Sequence, residues 1–103
     1  ELYVGGSFTS FRNIANNARY IAKLTTAGVF DTNFSNNLDV TSGVKATTSG
    51  FNSSVSSIAV SGGNIYVGGT FTNFRNIANN ARYIAKLTTA GVFDTNFSNN
   101  LDV

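Results

Sequence analysis

The chain of 103 residues is 42% hydrophobic and 13% aromatic but only 12% charged, with a net charge of +2, no Cys, no His and a single Glu. That is enough apolar material for a core, yet it lacks the side chains for His-assisted triads, thiolate nucleophiles or His-ligated metal sites, so neither enzyme activity nor a cofactor is expected. The seven basic residues are scattered rather than gathered in a stripe, which argues against nucleic acid as a partner. No apolar run approaches the roughly 18 to 20 residues that span a bilayer, so membrane insertion is not expected.

Residues 2–40 recur at 65–103 with 36 of 39 positions identical, the differences being Leu2/Ile65, Ser7/Thr70 and Ser10/Asn73. Identity at surface and core positions alike marks a recent or designed tandem repeat with a 63-residue period. Residues 1–63 make the first unit, and 64–103 a second that lacks its last 23 positions. Such a pattern is expected of a segment of a longer array, or of copies that complete one another in an oligomer.

In chain order, residues 2–9 repeat the arm described below at 65–72, and residues 21–24 (IAKL) predict a strand. Residues 31–39 (DTNFSNNLD) predict a turn with Asp31 accepting backbone N–H bonds, as Asp94 does in the second copy; the alternate oxygens loosely resemble a calcium loop but lack its Gly and its bidentate Glu. Residues 41–54, rich in Ser, Thr and Gly, predict an irregular segment or a short edge strand. Val55 to Val60 alternate toward Ser61-Gly62-Gly63-Asn64 and resume at Ile65, Val67 and Phe71, which predicts a hairpin over 55–72. For 74–87 the apolar spacing allows a helix, but three Asn and the absence of charge pairs favour a loop at 73–80 and a strand at 81–88. Gly5-Gly6 and Gly68-Gly69 lie inside strand patterns and predict a bulge or a close backbone approach rather than a phosphate loop.

Three or four short strands per period predict an all-β fold of β-propeller-like blades, with a β-solenoid as the alternative. The succession Val55, Ile58, Gly63, Ile65, Val67, Gly68, Gly69, Phe71, then Ile84, Ala85, Lys86, Leu87, then Gly91, Asp94 and Phe97 resembles the delta-sixty repeat, a propeller-like family of bacterial surface and secreted proteins. The first copy matches through Val4, Gly5, Gly6, Phe8, Ile21, Ala22, Lys23, Leu24, Gly28, Asp31 and Phe34. Lys23 and Lys86 depart from the Arg frequent in that family, and Asn16-Asn17 and Asn79-Asn80 stand where it often has a glycine turn. The resemblance implies a propeller and an extracellular or cell-surface setting, and no catalytic activity.

The expected role is therefore structural: blades stacking through Ile58, Val60, Ile65, Val67, Ile84, Leu87 and Phe97, with other copies of the repeat as partners through strand pairing between units. The first copy lacks its own VSSIAV strand, which predicts an open sheet edge that recruits strands. The alternative is a multivalent carbohydrate-binding module, with surface glycans as partners and one site per period. Its candidate contacts are Asn16, Asn17, Arg19 and Tyr20, and Asn79, Asn80, Arg82 and Tyr83. Phe8, Phe11, Phe71 and Phe74 are read as core rather than sugar platforms. Arg12, Arg75, Arg19 and Arg82 are expected to be solvated or paired with Asp31 or Asp94. Asn33, Asn52 and Asn96 each match the glycosylation acceptor pattern, as an Asn- and Ser-rich chain does by chance.

Overall fold

Strand alternation and a glycine turn build the best-defined part of the molecule. In a computed structural model, which describes residues 1–102, β3 (Val55–Ser61) and β4 (Asn64–Gly69) pair antiparallel from Val55↔Gly69 to Ser61↔Asn64. Gly62, at φ +60°, turns the chain between them. The strand β5 (Ile84–Thr88) adds to the other edge of β4, giving the order β3-β4-β5. The first copy yields only β1 (Leu2–Gly5) and β2 (Ile21–Leu24), a two-stranded sheet. Among the described residues no third strand pairs with the outer edge of β1, in line with the open edge expected there. Residues 41–54 are turns and bends, tied by a bridge between Phe51 and Phe74.

The glycine pairs do what their place in a strand predicts. The register of β3 on β4 shifts between Val55 and Ser57, opposite Gly68 and Gly69. A Cβ on Gly68 would stand 2.7 Å from Ser57 Oγ, and one on Gly69 would fall on the Ser54 carbonyl oxygen. On Gly5 it would meet Val55 Cγ1 at 2.5 Å, so β1 of the first sheet closely approaches β3 of the second there.

Two expectations need correction. Between the bridges at Phe74 and the start of β5, residues 75–83 are turns and bends, so the strand starts at Ile84 rather than 81. Arg75, Asn76, Asn79 and Tyr83 all have positive φ, which stops both helix and strand. The segments read as turns contain short helices, α1 (Thr32–Asn37) and α2 (Thr95–Asn100). Their Asn-rich sequence has poor helix propensity. Each is held by an N-cap, Asp31 accepting from Phe34 N–H and Asp94 from Phe97 N–H, both at 2.9 Å.

The core gathers Phe34, Phe51, Phe71, Phe74, Ile65, Val67 and Leu87, with Ile58 packed against it. Phe51 sits 4.2 Å from Phe71 and 5.0 Å from Phe74 between ring centroids. Val60 and Ile84, expected in the stacking core, are instead exposed, at 55% and 42%. Val60 lies at the turn end of the β3-β4 hairpin, paired with Ile65.

The units meet through a turn. Thr89 O accepts from Lys23 Nζ at 2.7 Å and from Tyr3 Oη at 3.3 Å, and Ala90 O accepts from Asn37 Nδ2 at 2.8 Å. Gly91, at φ +94°, lets this turn lie against the Phe34 ring; a Cβ there would come within 2.9 Å of Phe34 O. A backbone bond from Val55 N–H to Gly6 O, at 3.2 Å, links the two sheets, whose strand ladders remain separate.

Candidate functional site

The residues singled out as ligand contacts divide into two groups. Asn17 and Asn80 turn inward: each carboxamide clasps the backbone of one phenylalanine, Asn17 on Phe11 at 2.6 and 3.0 Å and Asn80 on Phe74 at the same distances. They staple the loop and have little left to offer a ligand. Asn16, Arg19 and Tyr20 form a second group. Arg19 Nη1 donates to Asn16 Oδ1 at 3.1 Å and its guanidinium lies 5.3 Å from the Tyr20 ring centroid. Asn79, Arg82 and Tyr83 repeat this at 2.9 Å and 5.6 Å. Both tyrosines hold positive φ, 67° and 70°. The strain is met by backbone bonds on either side: Tyr20 donates to Phe8 O and accepts from Gly6 N–H, and Tyr83 donates to Phe71 O and accepts from Gly69 N–H.

Around this second group the two copies diverge. In the first, residues 41–50 cover it: Arg19 Nε donates to Ser49 O at 3.0 Å and Gly50 N–H donates to Leu38 O at 2.7 Å. Lys45 Nζ reaches Ser35 Oγ at 2.7 Å, Asn36 Oδ1 at 3.0 Å and Asp39 Oδ2 at 2.8 Å, satisfying all three of its donors. Asp39, 1% exposed, also accepts from Gly43 N–H. In the second copy the same place is an open cleft of about 270 Å³ walled by Asn79, Arg82, Tyr83, Ser98, Leu101 and Asp102.

A different hollow recurs in both units. Phe11 stacks on Phe30, and Phe74 on Phe93, at 4.7 Å between centroids. The first pair floors a hollow of about 360 Å³ with Arg12 and Asn17, and the second one of about 510 Å³ with Arg75 and Asn80. Asn37 and Val40 of the first unit extend the second hollow, and Arg75 Nη2 donates to Val40 O at 2.9 Å. The sequence offered Phe11 and Phe74 as core candidates and Phe93 as an apolar anchor, but gave no sign that Phe30 and Phe93, 19 residues further along, stack on them.

Of the two expectations for the arginines, the solvated one fits Arg12 and Arg82, which are exposed. Asp31 and Asp94 face Lys23 at 3.8 Å and Lys86 at 3.5 Å, not arginines. Asp94 is held below the usual carboxylate range chiefly by the Phe97 N–H bond; partial burial works against this and the Lys86 charge assists it. Burial pulls the Lys23 ammonium's pKa down, but the hydrogen bonds and charges of Glu1 and Tyr3 outweigh it, so the net direction is upward. Among the described residues no group of three or more Asp or Glu side chains could hold a metal.

A family model described as "Domain of unknown function (DUF5122) beta-propeller" matches residues 1–34 and again residues 63–97. The chain belongs to that family. The two matches fall on the two copies of the repeat, and their propeller description agrees with the small antiparallel sheets. No curated protein and no solved structure matches the chain. The two DUF5122 segments contain the stacked phenylalanine pairs and the Arg–Tyr pairs, whereas residues 41–54, which carry Lys45 and Phe51, lie outside them.

Proposed function

We propose that the chain is a non-catalytic structural module of an extracellular or cell-surface protein, whose units assemble by stacking on further copies of themselves. The observation that carries this reading is the turn-on-blade contact inside the chain, because both of its halves occur a second time and, among the described residues, no second turn docks on a second receiving face. Thr26, Ala27 and Gly28, the counterparts of the docked turn, are exposed, and a Cβ on Gly28 would meet no atom within 4 Å. Tyr66, Lys86, Phe97 and Asn100, the counterparts of the receiving side chains, are half-buried or exposed. A contact between unlike surfaces repeats head to tail and builds a ring or a filament. The resemblance to delta-sixty repeats supports the exported setting, and the sparse charge and abundant Asn, Thr and Ser suit it. Light scattering across a concentration series tests the reading: mass should grow with concentration, and Ala27→Arg, which sets bulk and a cation against Lys86, should abolish the growth. A wild-type chain that stays monomeric into the micromolar range would overturn it.

The carbohydrate reading keeps one supporting observation, the stacked phenylalanine pair beside an arginine in each unit, a combination of apolar platform and donors that suits a sugar ring. Weak sites repeated on one scaffold gain through multivalency. A glycan array with no binding, or binding unchanged by Arg75→Ala and Tyr83→Ala, removes it.

A further inference from the structure

The segment 41–54 joins the two units, and it does so by placing one side chain in each. Lys45 enters the polar socket of the first unit made by Ser35, Asn36 and Asp39, and Phe51 enters the apolar socket of the second unit made by Phe71 and Phe74. Because the units are nearly identical, each socket exists twice and is filled once. Of the second polar socket, the counterparts Ser98, Asn99 and Asp102, both Ser98 and Asp102 line the open 270 Å³ cleft. The second apolar socket, around Phe8 and Phe11, is an open groove of about 200 Å³ continued by Val4, Ala18, Ala22 and Leu24.

We infer that these two openings are receptor sites for a strap of the 41–54 sequence carried by another copy of the repeat, its lysine ammonium entering at Asp102 and its phenylalanine at Phe8 and Phe11. The filled copies give the reason for this occupant. Ser35 Oγ donates to Asn17 O and thereby offers its lone pairs to Lys45, and Ser98 Oγ donates to Asn80 O in the same way, so the open socket already has the acceptor orientation of the filled one. Closing it would bury the Asp102 carboxylate as Asp39 is buried, which is tolerable only if a cation comes with it. An ammonium on a flexible stem matches three converging acceptors, whereas a planar guanidinium would not. Leu101, 55% exposed against 3% for Leu38, measures how much apolar surface the strap covers once seated. At the other end the Phe8 and Phe11 rings, half-buried, lack the third ring that completes the Phe51, Phe71 and Phe74 cluster.

This inference rests on the stacking reading in that the strap comes from another repeat, but it is tested separately. A peptide of residues 41–54 with blocked ends is titrated into the isotope-labelled full chain and followed residue by residue by NMR. The wild-type peptide should shift Ser98, Asn99, Leu101 and Asp102, and also Phe8 and Phe11, with saturation, while Ser35 and Asp39 stay unmoved. Lys45→Ala in the peptide should weaken the first set about tenfold or more, the scale of losing bonds to a charged group, and leave the second. Phe51→Ala should do the reverse. Asp102→Asn in the chain should reproduce the Lys45→Ala result. Absence of shifts at millimolar peptide, or equal shifts with all three peptides, would overturn the inference. Growth of mass with concentration alongside no peptide binding would leave stacking standing and remove the strap.

Discussion

Ile21 and Ile84 occupy the same place in nearly identical sequences, yet one is 1% exposed and the other 42%. The first unit is covered along α1 and β2 by the strap and by the turn at Thr89, Ala90 and Gly91, and left exposed at Leu2 and Val4 of β1. The second is the reverse: β3 and Phe51 bury Ile65, Val67, Phe71 and Phe74, while Ile84 and Leu101 face outward. Each copy therefore reports what the other is missing. In a repeat protein local sequence sets the shape of a unit, and neighbours set which of its faces are core. Identical substitutions made in the two copies separate those contributions without any change of chemistry.

The largest difference is expected for the phenylalanines of the apolar sockets. Phe74 is 1% exposed and packed between Phe51 and Phe93, whereas Phe11 has only Phe30 beside it. Phe74→Ala should cost about 3–5 kcal/mol, the usual penalty for emptying a packed aromatic site, and Phe11→Ala less than half of that. Denaturant unfolding of the two variants checks it, and equal losses would show that the first unit's groove is filled in solution by another copy.

Next comes the pair that reads the strap directly. Leu38→Ala should cost about 2–4 kcal/mol and Leu101→Ala less than about 1 kcal/mol, because only Leu38 lies under Gly50 and the residues before it. If the Leu101 variant becomes more costly as protein concentration rises, the cleft is being covered in trans.

Smaller again is the glycine pair at the stacking turn. Gly28 and Gly91 have φ of +86° and +94°, so alanine is strained at both, by about 1–2 kcal/mol. Only at Gly91 does the new Cβ also press on Phe34. The excess loss of Gly91→Ala over Gly28→Ala in thermal unfolding is then the contribution of the stacking contact, and no excess would mean the turn yields without cost.

The hairpin 55–72, the glycine approaches and the capping role of Asp31 and Asp94 were legible because each follows from alternation, from a missing Cβ or from an Asx side chain. α1 and α2 were not, since six Asn- and Ser-rich residues carry no helical period; they form because the Asp cap, joined in α1 by the buried Phe34 ring, outweighs propensity. Asn17 and Asn80 read as surface ligands because an Asn pair in a loop looks exposed, and only the fold shows their carboxamides closing on Phe11 and Phe74. The unequal burial of identical residues could not be read from any window of sequence, because it is set by contacts between units. Lys45 went unremarked for the same reason: one lysine in a Ser-rich stretch carries no signal until Asp39 is found beneath it.

The smallest effect is the one on which the copies should agree. The caps are local: Asp31 and Asp94 have φ of −88° and −93°, ψ of 99° in both, and the same 2.9 Å bond to the N–H three residues on. Asp31→Ala and Asp94→Ala should therefore lower the unfolding midpoint by the same amount, whatever covers the rest of each unit. The acid limb adds a signed check at Asp94. Its folded pKa lies below the ordinary 3.8, so as pH falls the unfolded chain takes up that proton first. The stability it contributes is whole above about pH 4 and is lost as pH drops through the folded value. Asp94→Asn, which cannot titrate, should flatten the midpoint's fall below pH 4 relative to the parent chain. Unequal loss from the two alanine variants at neutral pH would mean that the helix ends sense the neighbouring unit, and that the division between local shape and borrowed core runs further out along the chain than the caps.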